Sequence, residues 1–230
     1  INIITKDPMT NSAQVAHQLT SIGPSGSFDN NTTLNASIVT DNGKAGLFIY
    51  GQSRYRDGYD HNGDGFTEVP QLKTQTLGSR GFFRLSDISK LTVEYHNTHE
   101  YRRGGDNLKA TPHQAMIAEQ IDHNIHAGEA TYDLWLRDHR DHVAVFAATQ
   151  NTRRQSYYGS DMDPDAYGRT SDVVITAGSQ WTHRMDRFLF MPAELVAGLE
   201  YSFNRLHDVT LGYNHDVKQC VRIFSGYLQN

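Results

Sequence analysis

The chain has 230 residues, a net charge of -5, 37% hydrophobic residues, 12 tyrosines, 10 phenylalanines and 19 glycines. The mild negative charge gives no reason to expect nucleic acid as a partner, and the single cysteine, Cys220, excludes an internal disulfide framework and a Cys-x-x-Cys metal pair. No run of about eighteen apolar residues occurs, which excludes a transmembrane helix but not a membrane barrel, whose strands are apolar on alternate residues only.

The chain opens on Ile1-Asn2-Ile3-Ile4-Thr5, already in strand idiom, without an initiator Met or a signal sequence. Alternation and turn chemistry then predict about ten strands. The first spans Ala13 to Ile22 and leaves through a Gly/Ser/Asn-rich loop, Gly23 to Asn31. The second, Thr32 to Thr40, turns at Asp41-Asn42-Gly43-Lys44, where Asn-Gly is a strong hairpin signal. The third, Ala45 to Tyr59, carries Leu47 and Ile49 on one face and Tyr50, Gln52, Arg54 and Arg56 on the other, and is followed by the loop Asp60 to Pro70.

The clearest stretch runs from Leu77 to Arg102, two alternating runs joined by the turn Ser86 to Lys90. Leu91, Val93 and Tyr95 point one way while Thr92, Glu94, His96, Thr98, Glu100 and Arg102 point the other, so the pair reads as an antiparallel hairpin with one apolar and one polar face. A sandwich strand is usually about 5 to 6 residues long and a tilted membrane-crossing strand needs roughly 9 to 11. Both runs reach the longer mark.

After Arg103 a polar segment extends to about Asp122, with a helical patch expected at His113 to Ile121. Strand six, Asn124 to Leu136, turns at Arg137 to Asp141 into strand seven, His142 to Arg154, and the loop Tyr157 to Arg169 follows. Strand eight is Asp172 to Arg184, strand nine Ala193 to Arg205, and strand ten Val221 to Asn230 after the loop His207 to Gln219; the outward face of the tenth is not assigned by its pattern, and the chain stops in mid-strand idiom. Short turns alternate with longer loops along the whole chain, the arrangement of an outer-membrane barrel with turns on one rim and loops on the other. Arg54, Arg80, Arg84, Glu94, His96, Asp133, Gln180 and Glu200 are expected to face a hydrated lumen. Tyr55, Tyr59, Tyr95, Tyr101, Tyr157, Tyr158, Trp181, Phe188 and Phe190 gather towards strand ends, as interfacial girdles do, although each taken singly also fits ordinary packing.

These residues resemble a known family. Ile1-Asn2-Ile3-Ile4-Thr5-Lys6 is similar to the end of the plug domain of TonB-dependent outer-membrane receptors, and Arg54-Tyr55-Arg56-Asp57-Gly58-Tyr59, Leu91-Thr92-Val93-Glu94-Tyr95 and Ala197-Gly198-Leu199-Glu200-Tyr201 resemble barrel strands of such receptors, especially those of Bacteroidetes type. The resemblance implies an all-β antiparallel meander, with residues 1–6 ending a plug and residues 7–230 forming the first part of a transmembrane β-barrel of about 22 strands. The chain lacks a TonB box, most of a plug and about half of those strands, so it is expected to be a fragment that cannot close or transport alone. The family further implies a Gram-negative outer-membrane location and uptake of a bulky nutrient such as a ferric siderophore, haem or cobalamin. Its implied partners are outer-membrane lipid, the TonB complex through the missing plug segment, an extracellular lipoprotein and the metal chelate itself. A passive porin or adhesin barrel and a soluble β-sheet carbohydrate- or protein-binding module are the competing readings.

Few residues offer chemistry. Asp60-His61-Asn62-Gly63-Asp64-Gly65 matches the first half of an EF-hand loop, with oxygen ligands at alternate positions and glycines for the turn. Gln71 stands where the bidentate Glu belongs and Pro70 opposes an exit helix, so a calcium site would rest on Asp60, Asn62, Asp64 and either Glu68 or Asp57; the alternative is a polar turn without an ion. His96, His99, His113, His123 and His126 lie on or near one long segment and could ligate haem iron or a transition metal. Arg102 and Arg103 could meet an anionic ligand, with Tyr157 and Tyr158 on a neighbouring loop. No Gly-x-Ser-x-Gly elbow, His-Glu-x-x-His pair or phosphate-binding loop is present, and Asp161, Asp163 and Asp165 sit among turn residues without a positioned base. No enzyme activity is expected.

Overall fold

The computed structural model of the chain describes residues 7–24, 26–188 and 190–230. The plug-like stretch Ile1 to Lys6 lies outside the described residues. The rest is a single sheet of ten antiparallel strands, paired in chain order from β1 to β10 and not closed. The strands are β1 (Ser12–Ile22), β2 (Ser27–Val39), β3 (Ala45–Arg56), β4 (Thr67–Ser86), β5 (Ser89–Gly105), β6 (Ile117–Leu136), β7 (Asp141–Ser160), β8 (Tyr167–Phe188), β9 (Met191–Thr210) and β10 (His215–Gln229).

Register sorts the side chains. Leu47 pairs with Ile38 and Gly81, Val93 with Gly81 and Ala130, Ala147 with Ala130 and Ala177, and Tyr201 with Ala177 and Phe224. Because side chains alternate strictly along a strand, this one row places Leu91, Val93, Val143, Val145, Leu195 and Leu199 on one face. It also assigns β10, whose Phe224, Gly226 and Leu228 continue that face from β9. Arg54, Arg80, Arg84, Glu94, His96, Asp133, Gln180 and Glu200 all fall on the opposite face, as their alternation predicts.

Among the described residues the apolar face has no second layer of strands over it, since every strand belongs to the one sheet. Ile38, Leu77, Val145 and Leu199 are 65%, 56%, 48% and 55% exposed, a large uncovered apolar surface of the kind that marks a membrane or partner contact. On the polar face Leu72, Phe82, Thr92 and Thr182 are buried instead. Side chains crowd on the inside of a curved sheet and splay on its outside, so this difference fits a sheet curling around its polar face.

Connections fall on alternate rims, with the segments 40–44, 87–88 and 137–140 on one and the β1–β2 connection, 57–66, 106–116, 161–166 and 211–214 on the other, but the expected contrast in length rests mainly on 57–66 and 106–116: the ladders extend into the expected loops Gly23 to Asn31 and His207 to Gln219 and leave connections no longer than 40–44. Several boundaries move. The third strand ends at Arg56 rather than Tyr59, and Tyr59 forms only an isolated bridge with Val69. The fourth begins at Thr67 and takes in Pro70, which is tolerated because the pairing slips between Thr67 and Gln71, leaving no ladder bond for the missing N–H. The helical patch at His113 to Ile121 is not a helix: a 3-10 turn covers Pro112–Gln114, and Ile117 already starts β6.

Candidate functional site

The long-loop rim carries the chemistry, beginning with the connection between β3 and β4. Gly63 and Gly65 adopt φ of +76° and +90°, conformations that side chains rarely take, and this curls the backbone around Asp60. Asp60 Oδ1 accepts from Gly63 N at 2.7 Å and its Oδ2 from Gly65 N at 2.8 Å, while Asn62 Oδ1 accepts from Asp64 N and Asp64 Oδ1 from Phe66 N. Glu68 reaches back from β4 to accept from His61 N at 2.6 Å. One oxygen each from Asp60, Asp64 and Glu68 lies within 4.8 Å of the others. Two oxygens on one calcium ion stand at most about 5 Å apart, twice the 2.3 to 2.6 Å bond, so this trio matches the span of a calcium site. Asn62 turns its amide to Asp64, and Asp57 is engaged elsewhere, accepting from Phe28 N at 2.8 Å at the start of β2. Glu68, not Asp57, is therefore the carboxylate that joins Asp60 and Asp64.

Strand alternation divides the other candidates between two faces. His96, Arg102 and Tyr158 lie on the polar face, and His99, Arg103 and Tyr157 on the other. Arg102 donates to Glu100 at 3.1 Å and His99 Nε2 contacts Asp122 Oδ1 at 2.8 Å. The histidines scatter likewise: His126 meets Tyr95 Oη at 2.8 Å on the apolar-side face, His123 lies on the polar face, and His113 meets Tyr167 Oη at 2.9 Å. They do not converge, and among the described residues the one convergent group of potential metal ligands is Asp60, Asp64 and Glu68.

Arg103 and Tyr157 are not rim contacts. Both have no exposed surface. The segment 106–116 folds over the upper ends of β5 to β7, packing Ala115 and Ala118 with Tyr157 and Ala166. Arg103 donates from Nη2 to Asp106 O at 3.1 Å and from Nη1 to Gly104 O, and Tyr157 Oη donates to Asp163 O at 2.9 Å. Asp106 closes the same loop by accepting from Ile117 N at 2.9 Å and Met116 N at 3.2 Å. Burial alone would raise the Asp106 carboxyl, but these N–H groups and the Arg103 charge outweigh it and hold the pKa below the ordinary carboxylate value. Tyr59 also leaves the girdle, being buried with its hydroxyl on His61 Nδ1 at 3.1 Å. Tyr55, Tyr95 and Trp181 keep outward positions, 45%, 45% and 37% exposed.

The polar face holds a shallow groove across β5 to β8 lined by Glu94, His96, Glu129 and Gln150. Below it Arg80 pairs with Glu94, and Asp7 bridges Arg80 at 3.2 Å and Lys90 at 3.1 Å. Sequence reasoning missed Asp7 and Asp106. No local pattern marks Asp7, because its partners are far along the chain, and Asp106 looks like any loop carboxylate until β6 starts at Ile117.

No protein-family model matches the sequence, and no curated protein does. Among solved structures the fold is similar to the ferric yersiniabactin uptake receptor FyuA from Yersinia pestis, at a TM-score of 0.50 and 14% identity over 94% of this chain and 37% of that one. It is also similar to the copper transporter OprC, at a TM-score of 0.53 and 17% identity over 97% of this chain and 43% of that one. The chain spans less than half the length of either. Identity this low speaks for the fold alone. Both proteins are named for uptake or transport, and neither as an enzyme.

Proposed function

We propose that the chain is part of the barrel of a TonB-dependent outer-membrane receptor, and that the intact protein takes up a metal chelate across the Gram-negative outer membrane with energy delivered through the TonB complex. The observation that carries this is the division of one ten-stranded meander into an uncovered apolar face and a charged face, with its two longest connections, 57–66 and 106–116, on the same rim. A soluble binding module would bury its apolar face against a second layer, and this sheet leaves it bare. Asp7 supports the reading further. It ties the segment entering β1 to Arg80 and Lys90 on the polar face, where a chain arriving from inside a barrel would run.

The cargo is a bulky metal chelate, with a ferric chelate ahead of haem or cobalamin because the two similar structures are named for ferric yersiniabactin and for copper. The Asp60, Asp64 and Glu68 loop holds calcium at the outer mouth, and an extracellular lipoprotein could cap the same rim. Uptake of a radiolabelled ferric chelate by cells producing the full-length protein, with and without a working TonB complex, tests the proposal. Uptake that requires TonB is expected. Uptake that persists undiminished without it would identify a passive porin and sink the receptor reading.

A further inference from the structure

Beyond the apolar band, the outward face changes character abruptly. On β9 the series Leu195, Ala197, Leu199, Tyr201, Phe203 is followed by Arg205; on β8 Val173 gives way to Ser171 and Arg169; on β7 Ala147, Thr149 and Asn151 lead to Arg153. Register brings these ends together, since Arg153 faces Ser171, Gln155 faces Arg169 and Val173 faces Arg205. Two neighbouring shallow grooves result, one lined by Arg153, Arg169 and Ser171 and the next by Ser171, Arg205 and Lys218.

The charges here are treated differently from those on the polar face. Arg54, Arg80, Arg102 and Arg154 each have a carboxylate partner there. Arg153, Arg169 and Arg205 are exposed and make no ion pair among the described residues. The nearby acids are engaged, Asp122 with His99 and Asp216 with His207 and Lys218. One row lower on the same outward face, Arg222 is paired with Phe203 in register and its guanidinium lies over the Phe203 ring at 5.9 Å.

We propose that Arg153, Arg169 and Arg205 bind the phosphate groups of anionic lipid head groups in the leaflet on the long-loop side. The inference rests on the membrane-barrel reading above. Phe203 and Arg205 are two residues apart, about 7 Å along a strand, which is the step from acyl chains to head groups when the apolar band sits in the bilayer. Unpaired guanidinium groups at that depth match a phosphate in charge and in fork geometry. Cations near an anionic surface contribute roughly fivefold each in affinity, and salt weakens the effect.

The test is lipid selection by the full-length protein in mixed micelles doped with phosphatidylglycerol or phosphatidylcholine, with retained lipid counted by native mass spectrometry. The wild type is expected to retain phosphatidylglycerol at least tenfold over phosphatidylcholine at low salt. The combined Arg153→Gln, Arg169→Gln and Arg205→Gln variant should lose most of that preference, and the combined Lys variant should keep most of it. Free inorganic phosphate at millimolar concentration should not compete, because it lacks the acyl anchor; competition would mean a simple anion site and overturn the lipid assignment. Equal preference in the wild type and the Gln variant overturns the proposal while leaving the barrel intact. Failure of the wild type to enter micelles or vesicles at all overturns both the proposal and the membrane reading.

Discussion

Both carboxylate oxygens of Asp60 already accept backbone N–H groups, from Gly63 and Gly65, and each still has a lone pair to offer, as a carboxylate has about four acceptor positions. The loop is thus shaped before an ion arrives, and calcium would relieve three converging negative charges rather than build the turn. Three side chains leave the coordination short of six to eight oxygens, so water or carbonyls complete it and the affinity is expected at roughly 10⁻⁴ to 10⁻³ M. Calorimetry of the full-length protein with calcium, beside its Asp60→Ala, Asp64→Ala variant, should give heats only for the wild type. Equal heats in both, or none, would leave a polar turn held by its own hydrogen bonds. The convergence of Asp60, Asp64 and Glu68 was legible because these carboxylates are local in the chain, four residues apart with glycines flanking Asp64. Arg103 was not legible. Its burial depends on the segment 106–116 folding back and on Tyr157 arriving from β7, and neither event leaves a mark beside Arg102 and Arg103 in the sequence.

A strand such as β7 has two readable halves of unequal clarity. From Val143 to Ala147 the outward residues are apolar, and of the inward ones, His142, Ala144, Phe146 and Ala148, only His142 is polar, so apolar and β-branched content rather than a strict period of two marks this half as a strand. From Asn151 to Gln155 both faces are polar and that mark disappears, which is why the upper ends of β6, β7 and β8 and the start of β10 read as loops although the ladder continues through them. The lower half makes a sharper prediction. Val145 lies mid-band, facing Tyr132 and Ser179 in register and beside Leu199 one strand further, so Val145→Arg in the full-length protein should cost about 2 to 4 kcal/mol of folding stability in bilayers. Gln150→Arg, on the polar face of the same strand, should stay within about 0.5 kcal/mol. Reversible unfolding by urea from vesicles measures both, and equal costs would mean that the Val145 face does not meet lipid.

At the scale of the molecule the sheet is unfinished at both sides. Among the described residues β1 pairs only with β2 and β10 only with β9, so each outer strand turns a row of backbone N–H and C=O groups away from the sheet. The order of the strands was readable from the alternation of turns and loops, since nearest-neighbour pairing is the simplest path through such connections; the state of the edges was not, because edges depend on what pairs across them. In a barrel further strands would cover both, and the chain's span of 37% and 43% of two similar structures leaves room for them. Residues 7–230 alone have no such cover. Bare edges recruit other strands, and the apolar face with Ile38, Leu77, Val145 and Leu199 exposed gives the recruited sheets a surface on which to stack. The isolated chain in water is therefore expected to form large assemblies rich in β-structure at micromolar concentration, and to disperse only in detergent, which masks the face but not the edges. Sedimentation velocity discriminates: a monodisperse monomer without detergent would mean that the edges close on each other or that the apolar face finds an intramolecular cover.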